Sequence, residues 1–181
     1  MKRRVSMLAG FAALVAIAGP AAADWEKTHW GAKVADTILA VGGDTAGMAS
    51  DPRENIWGTE IGARGKGEYD GIGVRRDFYF DAKGGLVIVK LVPADEDCGA
   101  FRKAVTRNLG TSDRASKKTI GNMATSETMS WVSQPDNLVI LFYEMRFTGS
   151  NVGGCHLIYQ PYGDGLSGQR NAAGRTIVPV N

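Results

Sequence analysis

Ile72-Gly73-Val74-Arg75-Arg76-Asp77-Phe78-Tyr79-Phe80, then Asp81-Ala82-Lys83-Gly84-Gly85, then Leu86-Val87-Ile88-Val89-Lys90-Leu91-Val92: these consecutive stretches decide how the chain folds. In the first, Ile72, Val74, Arg76, Phe78 and Phe80 fall on one side of an extended chain, which predicts a strand with one buried and one wet face. The second is a turn. The third is a continuous apolar run broken only by Lys90, and it ends at Pro93. Together they read as a β-hairpin.

Beyond Pro93, Asp95-Glu96-Asp97 places negative charge where a helix N-terminus favours it. Cys98, Phe101, Val105 and Leu109 then repeat at helical spacing, and Gly110 ends the run. Thr111 to Thr125 is polar and reads as a surface loop. A second hairpin follows, with Met129, Trp131 and Val132 on its first strand, Gln134-Pro135-Asp136-Asn137 as its turn, and Leu138 to Phe147 returning. Leu138 to Tyr143 is apolar on both sides, as in a central strand. Cys155 to Gln160 forms a last strand, and residues 163–181 read as a flexible tail or, at Ile177-Val178, an edge strand.

Toward the N-terminus the glycines crowd: Gly62, Gly65, Gly67, Gly71 and Gly73. Gly62-Ala63-Arg64-Gly65-Lys66-Gly67 matches neither phosphate-loop pattern and leads into a strand, whereas phosphate loops feed a helix. It reads as a flexible turn with a bulge. A short strand over Ile56 to Ile61 precedes it. Before that, Trp30, Val34, Ile38 and Val41 mark one face of a helix over His29 to Val41, closed by Gly42-Gly43.

Met1-Lys2-Arg3-Arg4, the apolar run Met7 to Ala18, and Ala21-Ala22-Ala23 are the three parts of a secretory leader. The expected product is a periplasmic or secreted protein cleaved near Ala23. Without the leader, 158 residues remain, enough for one domain with its own core. They carry 18 basic and 19 acidic side chains, a balance unlike the cationic excess of nucleic-acid binders. No later segment is long and apolar enough to span a membrane. In an oxidising compartment the two cysteines, Cys98 and Cys155, are expected to form a disulfide.

The expected fold is α+β: an antiparallel sheet with two helices packed on one face. It forms a single domain over residues 24–162, its halves laid out alike as α-β-β-β units.

Trp25-Glu26-Lys27-Thr28-His29-Trp30-Gly31, Cys98 at the head of the second helix, Trp131, and Cys155-His156-Leu157-Ile158-Tyr159-Gln160-Pro161 resemble small exported bacterial domains. Their architecture is like that of the BamE/SmpA assembly lipoproteins and the β-lactamase inhibitor proteins. The resemblance implies binding of other proteins and no catalytic residues. Ala32 stands where that pattern has Met, Lys33 where it has a Ser or Thr cap, and the lipid-bearing Cys is absent.

Chemistry finds little purchase. His29 and His156 are too few for a zinc site beside oxidised cysteines, and neither lies in a nucleophile elbow. No catalytic residues, metal or cofactor are assigned. Glu60, Glu68, Asp70 and Asp77 are the carboxylates most open to a role in glycan hydrolysis. Interfaces draw on Trp, Tyr and Arg, and Trp57, Tyr69, Arg75 and Arg76 at loop or strand-end positions are the candidate binding residues. The expected function is therefore a non-catalytic periplasmic binding or interaction domain for a protein or envelope component. The alternatives are a carboxylate-based envelope glycan hydrolase and a carrier for a small apolar ligand held between sheet and helices.

Overall fold

The computed structural model describes residues 25–133, 138–149 and 153–161. The leader, turn and tail expected at 1–23, 134–137 and 163–181 lie outside them. The element order is α1 (Val34–Val41), β1 (Ala46–Gly47), β2 (Glu60–Tyr69), β3 (Ile72–Phe80), β4 (Leu86–Pro93), α2 (Cys98–Leu109), β5 (Arg114–Ile120), β6 (Ala124–Ser133), β7 (Leu138–Phe147) and β8 (Gly153–Pro161). All eight strands form one antiparallel sheet in the order β1-β2-β3-β4-β8-β7-β6-β5. Two meanders, β1 to β4 and β5 to β8, are joined through α2 and meet where β8 pairs with β4.

The α+β expectation is thereby overturned. Strand makes up 53% of the structure and helix 15%, so the fold is predominantly β, with two short helices as accessories to one large sheet. The sequence reading departs from the structure at several places. Each half has four strands after its helix where three were expected. The strand expected over Ile56 to Ile61 is a tight turn at 56–59, with β2 beginning only at Glu60. The polar stretch after α2 is not a loop but β5, an edge strand whose seven residues are all exposed. With no buried face, it carries no apolar alternation to betray it, and Lys117 and Lys118 protect an open edge from stray pairing.

The glycine-rich run is not a turn but most of β2. Its glycines clear space for neighbours instead. A Cβ on Gly62 would sit 2.7 Å from the Phe80 ring and 3.0 Å from Val34, and one on Gly65 would lie 3.1 Å from the Thr45 Cα. The register shifts once, between Ile61 and Ala63.

The β3–β4 hairpin, the β6–β7 pairing and α2 match their sequence reading closely, the expected turn at 134–137 lying outside the described residues. In the β3–β4 turn, the Asp81 carboxylate accepts the backbone N–H groups of Lys83 and Gly85, both at 2.9 Å. Asp97 caps α2 by accepting the Ala100 N–H at 2.9 Å, and Gly110 leaves the helix at φ 72°. Lys33 opens α1 with no side-chain cap. That helix is correspondingly short, eight residues against the longer span expected.

Period-two alternation sorts the sheet into two faces. On one, Phe78, Val89, Ile140, Phe142, Leu157 and Tyr159 pack with Phe101 and Val105 of α2, and half-buried Val34, Ile38 and Val41 of α1 lie against the same cluster. Each such side chain contributes roughly 1.5–3 kcal/mol by leaving water. The other face carries a smaller cluster, Ile61, Tyr79, Ile88, Val139, Leu141 and Ile158, covered by Met48, Ile56 and Trp57 from the β1–β2 connection. The Cys98–Cys155 disulfide, with Cα atoms 5.6 Å apart, ties the start of α2 to β8. No described helix is long and apolar enough to cross a membrane.

Candidate functional site

The β1–β2 connection covers only part of the helix-free face. The remainder is an open trough of about 940 Å³. Its floor follows from strand register. Lys90 on β4 pairs with Ile158 on β8, Ile158 with Leu141 on β7, Leu141 with Ser130 on β6, and Ser130 with Arg114 on β5. These residues form one row across five strands, all pointing to the same face. A second row beside it runs His156, Tyr143, Thr128, Ser116. The first row is therefore apolar in its middle, with His156 and Tyr143 beside it, the β6–β5 side carries hydroxyls, and a cation stands at each end of the first row.

Ile56 and Trp57 make the wall at the Lys90 end. They belong to a tight turn in which Thr59 N–H donates to the Ile56 carbonyl at 2.8 Å. Trp57 has φ 51° and Gly58 φ 78°, the positive-φ pair of a type I′ turn. A left-handed conformation costs a residue with a Cβ about 1–2 kcal/mol. Strain of this kind on a bulky residue gathers where a side chain's position matters to function.

The electrostatics at the Lys90 end are unbalanced. Asp77, buried beside Lys90 in the register, is already taken. It accepts from Arg64 Nε at 2.6 Å and Arg75 Nη2 at 3.1 Å, and Arg64 also reaches Glu54 at 2.5 Å. Three cations thus face two carboxylates. Lys90 is the surplus one, with no hydrogen bond or ion pair to any described residue. Desolvation holds the Lys90 ammonium below its ordinary pKa, with nearby Asp77 pulling the other way.

His156 is pushed down to about 3, first by burial and then by the Lys90 charge, so its ring is neutral and weakly basic at physiological pH. It lies against Tyr143, ring centroids 5.2 Å apart. Tyr143 separates it in the row from the Thr128 and Ser116 hydroxyls, so no Ser–His pair forms here.

Of the four residues expected to bind, Trp57 lines the trough. Arg75 shares its face but lies beyond the Lys90 end, held by Asp77. Tyr69 and Arg76 go to the opposite face. Tyr69 sits edge-on to Phe101, centroids 5.6 Å apart, and Arg76 bonds the Lys66 carbonyl at 2.5 Å and Glu26 at 3.3 Å. His156 enters the sequence reading only as a metal or base residue, most other trough residues escape it, and Lys90 carries a signal as the single charge interrupting an apolar strand.

Among the carboxylates raised for glycan chemistry, Asp70 accepts from Arg107 at 2.9 Å and Asp77 is engaged as above. A smaller cleft of about 220 Å³ on the helical face does hold two acids, Glu127 and Glu144. Arg102 bridges them, bidentate to Glu127 at 2.9 and 2.8 Å and at 2.8 Å to Glu144. That guanidinium holds the Glu127 carboxyl below its usual range, the reverse of what a general acid for glycoside cleavage needs.

No protein-family model matches the chain, and no curated protein or solved structure is significantly similar to it.

Proposed function

We propose that this chain is an exported, non-catalytic binding domain of the cell envelope, and that its working surface is the trough on the helix-free face. The observation that carries this reading is the row of residues drawn from five strands, apolar in the middle and open to solvent over about 940 Å³. Small-molecule sites of this kind are concave and mostly apolar, with a few placed polar groups. Ile158 and Leu141 supply the floor, strained Trp57 the wall, and Ser130 and Ser116 the polar margin. The leader and the Cys98–Cys155 bond support the compartment. The arginine-bound carboxylates and the weakly basic His156 support a role without catalysis.

The occupant fitting this surface is an envelope component with an apolar body, carried on the face opposite the helices. Titration with the neutral fluorophore N-phenylnaphthylamine tests the reading. Saturable binding to the oxidised protein is expected, with Ser130→Trp, which fills the trough from a half-exposed position, weakening it at least about tenfold. Absence of saturable binding, or a Ser130→Trp variant that binds as the parent does, overturns it.

A further inference from the structure

The trough has a polarity along its length. Lys90 and Arg114 close the two ends of the same row, four inter-strand steps or about 19 Å apart along the sheet. The ends are not equivalent. Arg114 is exposed on the edge strand, where water and salt screen its charge. Its neighbour Asp113 adds a carboxylate there, accepting the Val132 N–H at 2.7 Å.

Lys90 is half-buried and lines the trough together with Ile56 and Trp57, beside a carboxylate that two arginines have already neutralised. Its ammonium offers donors that nothing described takes up. A half-buried, unpaired cation is costly to keep, and an anion delivered with an apolar body would offset that cost. Next along the row, Ile158 and Leu141 offer no polar group at all. Resting on the trough reading above, we infer that the ligand is a free single-chain anionic amphiphile of the fatty-carboxylate kind. Its head lies against the Lys90 ammonium and its chain crosses Ile158 and Leu141 toward Ser130.

Charge and direction both follow. A cationic head would meet Lys90 with like charge, and a neutral one would leave the ammonium unpaired. A charge-assisted hydrogen bond in such a setting favours the anion by about tenfold or more.

Calorimetric titration of the oxidised protein with dodecanoate, dodecanol and dodecyltrimethylammonium, each kept monomeric, separates the possibilities. Dodecanoate is expected to bind about tenfold or more tightly than dodecanol, and the cation most weakly. Lys90→Met should bring dodecanoate and dodecanol to within about twofold of each other, and Lys90→Arg should keep dodecanoate ahead. Equal binding of dodecanoate and dodecanol by the unaltered protein, which requires no variant to fold, overturns the inference while the trough reading stands. Failure of all three ligands to bind removes the trough reading itself. Binding to phosphatidylglycerol vesicles without binding to monomeric dodecanoate overturns the free-amphiphile assignment in favour of a membrane surface.

Discussion

Removing the covalent tie between α2 and β8 should cost this fold a large part of its stability. Cys98 and Cys155 are separated by 57 positions in sequence. Closing a loop of that length withdraws about 4 kcal/mol of conformational entropy from the unfolded chain. A domain of this size typically has only 5–15 kcal/mol in hand. The bond spans the joint between the two meanders, since α2 carries the chain from β4 across to β5 while Cys155 lies on β8, the strand that pairs back with β4. Replacing both cysteines by alanine removes the tie and leaves no buried thiol. With a urea slope of about 2 kcal/mol per molar for a chain this long, the unfolding midpoint should fall by about 2 M. Equilibrium urea unfolding followed by tryptophan fluorescence measures this directly, comparing the oxidised parent with Cys98→Ala/Cys155→Ala. Alkylation of the native parent before and after reductant reports whether the sulfurs are joined. A midpoint that moves by less than about 0.5 M, or two freely alkylated sulfurs without reductant, refutes the reasoning.

Three further outcomes follow from the side-chain arrangement. Arg102→Met leaves Glu144, 2% exposed, with Arg146 alone and Glu127 without its partner, and should cost about 3 kcal/mol by urea unfolding. Because Glu127 is held below its unfolded pKa by Arg102, its contribution is present above the ordinary carboxylate range and lost as pH falls through the folded value. The variant's stability should therefore fall less steeply between pH about 5 and 3. His156 is also depressed on folding, to about 3, so the unfolded chain binds the extra proton between pH 6.5 and 3 and stability drops across that window. The loss should reach about 2 kcal/mol at pH 5 and be relieved by His156→Phe, read as melting temperature against pH. Gly65→Ala should destabilise by about 1–3 kcal/mol because its methyl meets the Thr45 backbone. Gly67→Ala, which pushes on the Arg76 side chain rather than on backbone, should cost less than Gly65→Ala, by about 1 kcal/mol; thermal melts of the pair compare them.

How far the sequence could be read depended on whether a segment's burial is one-sided and local. The β3–β4 hairpin, α2 with its Asp97 cap and Gly110 exit, and the β6–β7 pair were legible because alternation, helical spacing and turn chemistry lie within each short stretch. The Cys98–Cys155 pairing needed only a count of cysteines and a compartment. β5 was illegible because an edge strand with no buried face has the composition of a loop. The glycines of β2 misled because their smallness answers to Phe80, Val34 and Thr45 packed above them, not to a bend in their own backbone. Lys90 was visible as the one charge in an apolar strand, but its meaning was not. That it stands at the end of a row with Ile158, Leu141, Ser130 and Arg114 depends on β8 returning to pair with β4, a register between segments almost 70 residues apart. Local propensity sets each strand and its faces; only the tertiary pairing decides which faces share a surface, because that choice is made by contacts distant in sequence.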